Sequence, residues 1–372
     1  MTTSPAFDAD DHRHMARALQ LAARGLYTTD PNPRVGCVLV RDGEVVGEGW
    51  HQRAGEAHAE VNALHAAGEQ AQGATAYVTL EPCSHHGRTP PCADALIQAG
   101  VARVVSGMED PNPQVAGQGH ARLRSAGLHV ETGLLQAQAE ALNPGYIKRR
   151  RSGRPFVRCK LAMSLDGRTA MASGESRWIT GPAARADVHR LRARSSAILT
   201  GIGTVLADDP SLTARLATDE AVQQPWRVVL DSQLQLPPTA RLLSLPGRRL
   251  VCCREDADAD RAQALIAAGA EIHRLPAGDG HIDLAAVLDL LGHLEINEVM
   301  SEAGPTLNGA LLAAGLVDEI IVYLAPHLMG DAARGLFHLP GITTMRDRVE
   351  LEIVDYRALG TDWRLTARPR GR

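Results

Sequence analysis

Short apolar, strand-like runs alternate with helical patterns along almost the whole chain, and the alternation is interrupted at one basic stretch, IKRRRSGRP, at residues 147–155. Such alternation restricts a chain to sheets sheltered by helices, an α/β architecture. Before the interruption, Met15, Ala18, Leu19 and Ala22 fall at helical spacing and stop at Gly25. Residues 35–40 and 44–50 read as two strands joined by Asp42-Gly43, a strong hairpin signal. A helix over 59–67, a strand over 76–80, a helix after Cys92, a strand over 103–107 and a further helix–strand pair follow. After it, strands are expected at 156–161, 197–200, 227–230, 250–253, 298–301 and 319–324, with helices at 183–194, 260–268, 284–294 and 306–314. A chain of 372 residues exceeds one hydrophobic core. The basic stretch, ending in Gly and Pro, therefore reads as a linker between domains 1–150 and 151–372, or as an exposed helix end.

Charge and composition narrow the function. A net charge of −4 and 3% aromatic residues provide neither the basic stripe nor the stacking platforms of a broad nucleic-acid surface. No apolar segment approaches membrane-spanning length, and the acidic start MTTSPAFDADDHRH is no secretory signal, so a cytoplasmic location is expected. Six cysteines in such a chain point to metal ligands or buried thiols and not to a disulfide framework.

The sharpest chemistry lies in His58-Ala59-Glu60, Glu81-Pro82-Cys83 and Pro91-Cys92. One imidazole and two thiols suit zinc, and three protein ligands leave a fourth position open, as catalytic sites do. A water on such a metal has a pKa near about 7, and Glu60 could carry its proton to the ring nitrogen and then to the departing amine. Residues two apart point about 200° apart on a regular helix. His58 and Glu60 can converge only where His58 precedes the first turn, which is where the helix over 59–67 begins. Cys92 likewise opens a helix, whose N-terminus favours a thiolate. Taken singly, His58 could be a helix cap and the cysteines core residues; together they point to a metal site. His51, His65, His85 and His86 are alternatives by residue type. Base-flipping deaminases carry Cys-x-x-Cys, whereas eight residues, 84–91, separate the thiols here. That loop could fold over the pocket and offer Arg88 to a phosphate, if Arg88 is not simply exposed.

The segments TTDPNPRVGCVLV, HAEVNAL, VTLEPCSHHGRTPPC, EDPNPQVAG, SLDGRTA and EAGPTLNGALL resemble the bifunctional riboflavin-biosynthesis deaminase–reductase family over nearly the whole chain. The resemblance implies a cytidine-deaminase-like three-layer sandwich followed by a dihydrofolate-reductase-like domain. The first would convert a diaminopyrimidinone ribosylamino 5′-phosphate to its uracil form, and the second would reduce ribosyl to ribityl with NADPH. It implies zinc on His58, Cys83 and Cys92, proton transfer by Glu60, and substrate contacts at Asn32, His51 and Arg88. In the second half it implies cofactor contacts at Ala162, Trp178, Thr204, Asp208, Ser232, Gly304, Pro305, Thr306, Leu307, Asn308, Gly309 and Ala310. Substrate contacts would be Ser176, Arg192, Leu212, Arg215 and Glu302. A homo-oligomer, dimer or tetramer, is also expected from the family.

Composition alone would not have suggested NADPH, because no Gly-x-Gly-x-x-Gly follows the first strand of this half. The run from Ser301 to Thr306 passes through Gly and Pro into a helix, where backbone N–H groups suit a pyrophosphate or simply close a turn. Arg192 and Arg215 suit a phosphate, with surface solvation as the alternative. Asp166 and Gly167 read as a tight turn, and Trp178 as a cofactor flank or a core residue. Two rivals remain at this level: a tRNA-type zinc deaminase, and a deaminase whose second half only binds.

Overall fold

The computed structural model describes residues 7–84, 90–218, 220–278 and 280–370 and divides into two units, 1–153 and 154–372. The boundary falls inside the basic stretch, but that stretch is no extended linker. A helix, Pro144–Ser152, runs through it with Ile147 and Arg149 buried, and Gly153 ends it at φ 77°. Three successive arginines in its last turn complement the negative end of the helix dipole, which is why a polar, basic run can be helical.

In the first unit we number α1 Ala9–Ala23, β1 Gly36–Arg41, β2 Glu44–Trp50, α2 Ala59–Ala67, β3 Thr75–Val78, α3 Cys92–Gln98, β4 Arg103–Ser106, α4 Gln118–Ser125 and β5 His129–Thr132. The sheet order is β2-β1-β3-β4-β5, with β1 antiparallel to β2 and β3, and β3, β4 and β5 parallel. Asp42 and Gly43 both adopt positive φ, 52° and 83°, at the β1–β2 turn, as a two-residue hairpin loop requires. Alternation along β1 sends Cys37 and Leu39 to the core under Ala59, Ala63 and Leu96, and Val38 and Val40 to the core under Met15, Ala18 and Leu21 of α1. The sheet is therefore covered on both faces, as a three-layer sandwich demands.

α2 lies unusually close to β2. A Cβ on Gly49 would stand 2.3 Å from the Ala59 carbonyl, and one on Gly47 would stand 2.3 Å from that of Ala63. Backbone-to-backbone approach of this kind needs glycine, and it fixes where α2 begins.

The second unit is built on a nine-stranded sheet in the order Glu271–Leu275, Arg249–Arg254, Trp226–Leu230, Ala197–Gly201, Glu298–Ser301, Phe156–Ser164, Glu319–Ala325, Asp362–Pro369, Leu351–Leu359. The first seven run parallel, and the last two form an antiparallel hairpin on the edge. Val157, Leu199, Val228, Leu250 and Val299 carry the main core against helix Leu284–His293. Sequence patterns do not reveal Glu271–Leu275 or the edge hairpin. Strand Leu351–Leu359 is exposed along most of its length, so it lacks the apolar alternation that marks a half-buried strand.

Candidate active sites

Two helix starts meet the segment that leaves β3. His58 is the N-cap of α2, in extended conformation at φ −74°, ψ 167°, and Glu60 lies in the first turn. Cys92 opens α3, and Cys83 lies on the segment leaving β3. The ligand atoms of His58, Cys83 and Cys92 all lie within 4.8 Å of one another. His58 Nδ1 stands 3.3 Å from Cys92 Sγ and 3.7 Å from Cys83 Sγ, and the Cys92 backbone N–H donates to Cys83 Sγ at 3.3 Å. The helix-start argument for His58 and Glu60 holds as read from spacing.

Electrostatics favour a thiolate here. The Cys92 thiol, and after it His58, hold the Cys83 thiol down near about 4, against the upward push of burial. Cys92, paired with that sulfur and buried, moves in the opposite direction. Burial first, then the Cys83 sulfur, push the Glu60 carboxyl up to about 7, and the side chain is 3% exposed. One imidazole and two soft sulfurs, one of them with its thiol pKa held down, form a donor set that fits zinc. Cys159, Cys252 and Cys253 are buried free thiols of the second unit, and Cys37 is a buried thiol of β1 near Glu60 but outside the donor set.

Asn32 and His51 are brought to this site. Asn32 Nδ2 lies 3.0 Å from His51 Nε2, His51 Nδ1 lies 3.1 Å from the Ala57 carbonyl, and the His51 and His58 rings meet edge-on at 5.3 Å. Because the carbonyl can only accept, His51 carries its proton on Nδ1 and accepts from the Asn32 amide, which leaves the Asn32 oxygen free of that bond. Arg88, with His85 and His86, lies outside the described residues.

In the second unit Arg192, Glu302 and Arg215, with Leu212 beside them, form one cluster. Arg192 Nε and Nη2 donate to Glu302 at 2.5 and 2.9 Å, its Nη1 donates to the Thr213 carbonyl at 3.2 Å, and Lys160 Nζ is 3.9 Å from Glu302. Arg215 donates to Thr213 Oγ1 at 2.8 Å and stands 3.2 Å from His189 Nε2. Helix Pro182–Arg194, which carries His189 and Arg192, is pinned through Asp187, the acceptor of Tyr323 Oη at 2.6 Å and Arg364 Nη1 at 3.0 Å. Burial would raise the Glu302 carboxyl, yet Arg192 and Lys160 hold it down at about 2. Burial, then Arg192 and Arg215, push His189 down to about 4. Two cations, Arg192 and Lys160, flank the Glu302 carboxylate and Arg215 lies close enough to Arg192 to be affected by its charge, so cations outnumber the carboxylate in this corner. Leu212, beside it, is buried with φ 50°, and Ser176 is half-buried on the segment before Trp178.

The predicted cofactor residues lie mostly where parallel strands end. Gly304 is the N-cap of helix Pro305–Ala313, Thr204 and Asp208 lie on Ile202–Asp208, Ser232 follows Trp226–Leu230 and Ala162 lies in Phe156–Ser164. Asn308 faces inward, accepting from Ser301 Oγ at 2.7 Å and donating to the Ala303 carbonyl at 2.9 Å, so it braces the Gly304 turn. A Cβ on Gly309 would stand 2.1 Å from the His338 carbonyl. Trp178 is 72% exposed, with Arg185 4.6 Å from its ring centre, and is no core residue. Asp166 lies in a turn as expected, closed by the Gly167 N–H on the Ser164 carbonyl at 3.0 Å, and its carboxyl accepts from the Met329 and Gly330 N–H groups. Sequence reading passed over Lys160 and gave Glu81, though part of the Glu81-Pro82-Cys83 motif, no role of its own. Lys160 is a charged residue in a mostly apolar strand, which was the available signal.

The first unit thus has the layout of a zinc-dependent hydrolytic deaminase, and it shares its chain with a parallel α/β unit whose strand ends carry a cationic cluster. Residues 8–108 match the cytidine and deoxycytidylate deaminase zinc-binding region, and residues 155–365 match the RibD C-terminal domain. The chain is 54% identical to the riboflavin biosynthesis protein RibD of Escherichia coli, over 95% of this chain and 97% of that protein. It is 50% identical to RibD of Haemophilus influenzae, over 98% and 99%. Among solved structures, Acinetobacter baumannii RibD superposes with a TM-score of 0.91 at 47% identity, covering 97% of this chain and 99% of that one. A Thermotoga maritima diaminohydroxyphosphoribosylaminopyrimidine deaminase/5-amino-6-(5-phosphoribosylamino)uracil reductase does so at 0.85 and 33%, with the same coverage. The chain belongs to the RibD family: it is a bifunctional enzyme of riboflavin biosynthesis that acts on small phosphorylated pyrimidines. It joins a zinc-dependent deaminase of cytidine-deaminase-like fold to an NADPH-dependent reductase of dihydrofolate-reductase-like fold.

Proposed function

We propose that His58, Cys83 and Cys92 hold the zinc and that Glu60 is the proton carrier of a deaminase acting on 2,5-diamino-6-ribosylamino-4(3H)-pyrimidinone 5′-phosphate. The convergence of the three donor atoms within 4.8 Å beside a buried carboxyl is the observation that carries this reading. Zinc supplies Lewis acidity, which brings hydroxide within reach near neutral pH. Glu60 takes one proton of the attacking water and gives it to the ring nitrogen, then takes the remaining proton from the added hydroxyl and delivers it to the departing amine as the C–N bond breaks. Water and the C–NH2 group thereby become C=O and ammonia. Asn32, oriented by His51, contacts the pyrimidine, and Arg88 contacts the substrate from the loop between the cysteines.

The reductase half then accepts 5-amino-6-(5-phosphoribosylamino)uracil. Arg192, Arg215 and Glu302, with Ser176 and Leu212, form its substrate face, and the positive corner around His189 supports a phosphate there. Ala162, Trp178, Thr204, Asp208, Ser232, Gly304, Pro305, Thr306, Leu307 and Ala310 form the NADPH face, while the buried Asn308 and Gly309, expected from the resemblance to touch the cofactor, brace it from behind. The pyrophosphate would meet the backbone N–H groups at Gly304, Pro305 supplying none, and Thr306. Hydride transfer is the cofactor's chemistry; these residues position the sugar carbon against it.

Glu60→Gln keeps the shape of the side chain and removes the proton acceptor. It should abolish ammonia release while leaving bound zinc and NADPH oxidation on the supplied uracil intermediate intact; ammonia release at the parent rate would reject the role. We further place the enzyme in the cytoplasm as a homo-oligomer with no nucleic-acid or membrane partner. The exposed apolar side chains of Ile353 and Tyr356 on the edge strand support association, and light scattering would test it. Among the described residues, no helix is long and apolar enough to cross a membrane.

A further inference from the structure

Glu81 is 5% exposed, two residues before Cys83. Its carboxyl oxygens accept four main-chain N–H groups: Oε2 from Asp110 at 3.0 Å and Gly117 at 2.9 Å, Oε1 from Gly119 at 2.8 Å and His120 at 3.2 Å. Glu81, Glu109 and His120 lie close enough to suggest a second metal cluster. However, the Glu81 oxygens are already occupied by N–H donors, and His120 Nε2 is engaged with Ser106 Oγ at 2.9 Å.

The four donors have a pattern. The N-cap of α4 is Gly117, which has no side chain to cap with. Gly119 and His120 are the second and third residues of that helix, the positions an N-cap side chain serves. Glu81 caps α4 from another part of the chain, and places a carboxyl at the positive end of its dipole. The neighbouring residues are anchored as well. A Cβ on Gly119 would stand 2.0 Å from the Pro82 carbonyl. The Cys83 carbonyl accepts from Ala93 N at 3.1 Å, and its sulfur accepts from Cys92 N at 3.3 Å. Residues 81, 82 and 83 are thus clamped in succession, to the starts of α4 and α3, and only the last of them would touch the metal.

We propose that Glu81 is a positioning residue for the zinc site: by capping α4 in trans it fixes the segment that presents Cys83. The proposal rests on Cys83 being a zinc ligand, as assigned above. Partners that orient metal ligands typically contribute about 10–100-fold to metal affinity, and a cap acting through Cys83 should show an effect of that order.

The test uses the full-length zinc-loaded enzyme and follows zinc transfer to an excess of chromophoric chelator in the parent, Glu81→Gln and Cys83→Ser. NADPH oxidation on supplied uracil intermediate reports the integrity of the other unit. Glu81→Gln sets an amide NH2 against N–H donors, and should release zinc roughly tenfold faster or more with NADPH oxidation unchanged. Release within twofold of the parent, even with a lowered melting temperature, would make Glu81 a helix cap only and overturn the proposal. Should Glu81→Gln fail to fold, Gly119→Ala decides. It keeps the carboxylate but presses on the Pro82 carbonyl at 2.0 Å and on Glu81 Oε1 at 3.1 Å, and it should also hasten release; parent-like release would overturn the idea. Parent-like zinc retention by Cys83→Ser would instead refute the ligand assignment, a separate failure.

Discussion

Single side chains in the reductase half set charges more than they set shape. Arg192 is committed to Glu302 and Thr213, whereas among the described residues the Arg215 side chain bonds Thr213 and His189 alone, so Arg215 is the readier partner for a phosphate. Charge-assisted hydrogen bonds contribute about 1.5–3 kcal/mol. Arg215→Ala should therefore raise KM for the phosphorylated uracil substrate by roughly ten- to a hundredfold, with a smaller change in kcat, in steady-state NADPH assays; an unchanged KM would move the phosphate elsewhere. His189 gives a pH dependence whose sign follows from its depressed pKa. Unfolded, the imidazole takes up a proton near its usual 6.5, whereas folded it does so near about 4, so acid favours the unfolded chain. This contribution is present above about pH 6.5 and is lost as pH falls to about 4. Thermal melts at pH 7 and pH 5 should show the reductase transition falling, and His189→Asn should flatten the difference.

At the scale of elements, the deaminase site depends on where three helices start. α2 is held against β2 by the absence of side chains at Gly47 and Gly49. Gly49→Ala would drive a methyl into the Ala59 carbonyl and the Ala63 N–H, at 2.3 and 2.4 Å. Overpacking typically costs about 1–3 kcal/mol, and here the displaced element carries both His58 and Glu60. The variant should lose zinc as well as stability, measured by metal content and melting temperature; full zinc occupancy would show that α2 can slide without disturbing His58. The start of α2 was legible from sequence, because His58 and Glu60 cannot converge mid-helix. The trans cap on α4 was not, because Gly117 and Glu81 are separated by 36 positions and no local pattern links them.

For the whole molecule, a metal that binds only the folded state stabilises the unit that holds it. Calorimetry with and without a zinc chelator should show one transition falling and the other, the reductase, unmoved. Ammonia release should vanish while NADPH oxidation on supplied uracil intermediate persists. A shift of both transitions would show that the two units melt together.

Sequence by itself determined a good deal: two α/β units, a boundary at the basic stretch, the hairpin at Asp42-Gly43, and the grouping of His58, Glu60, Cys83 and Cys92. Each of these is encoded locally, by periodicity, turn chemistry or residue type at short spacing. Tertiary structure decided the rest. It chose the helix end over the linker, the two readings the basic stretch left open, exposed Trp178, turned Asn308 inward, hung the edge hairpin on the nine-stranded sheet, gave Arg192 to Glu302, and set Glu81 over the start of α4. These outcomes depend on which distant backbone groups and charges come within hydrogen-bonding reach once the sheets close, and spacing along the chain carries no record of that.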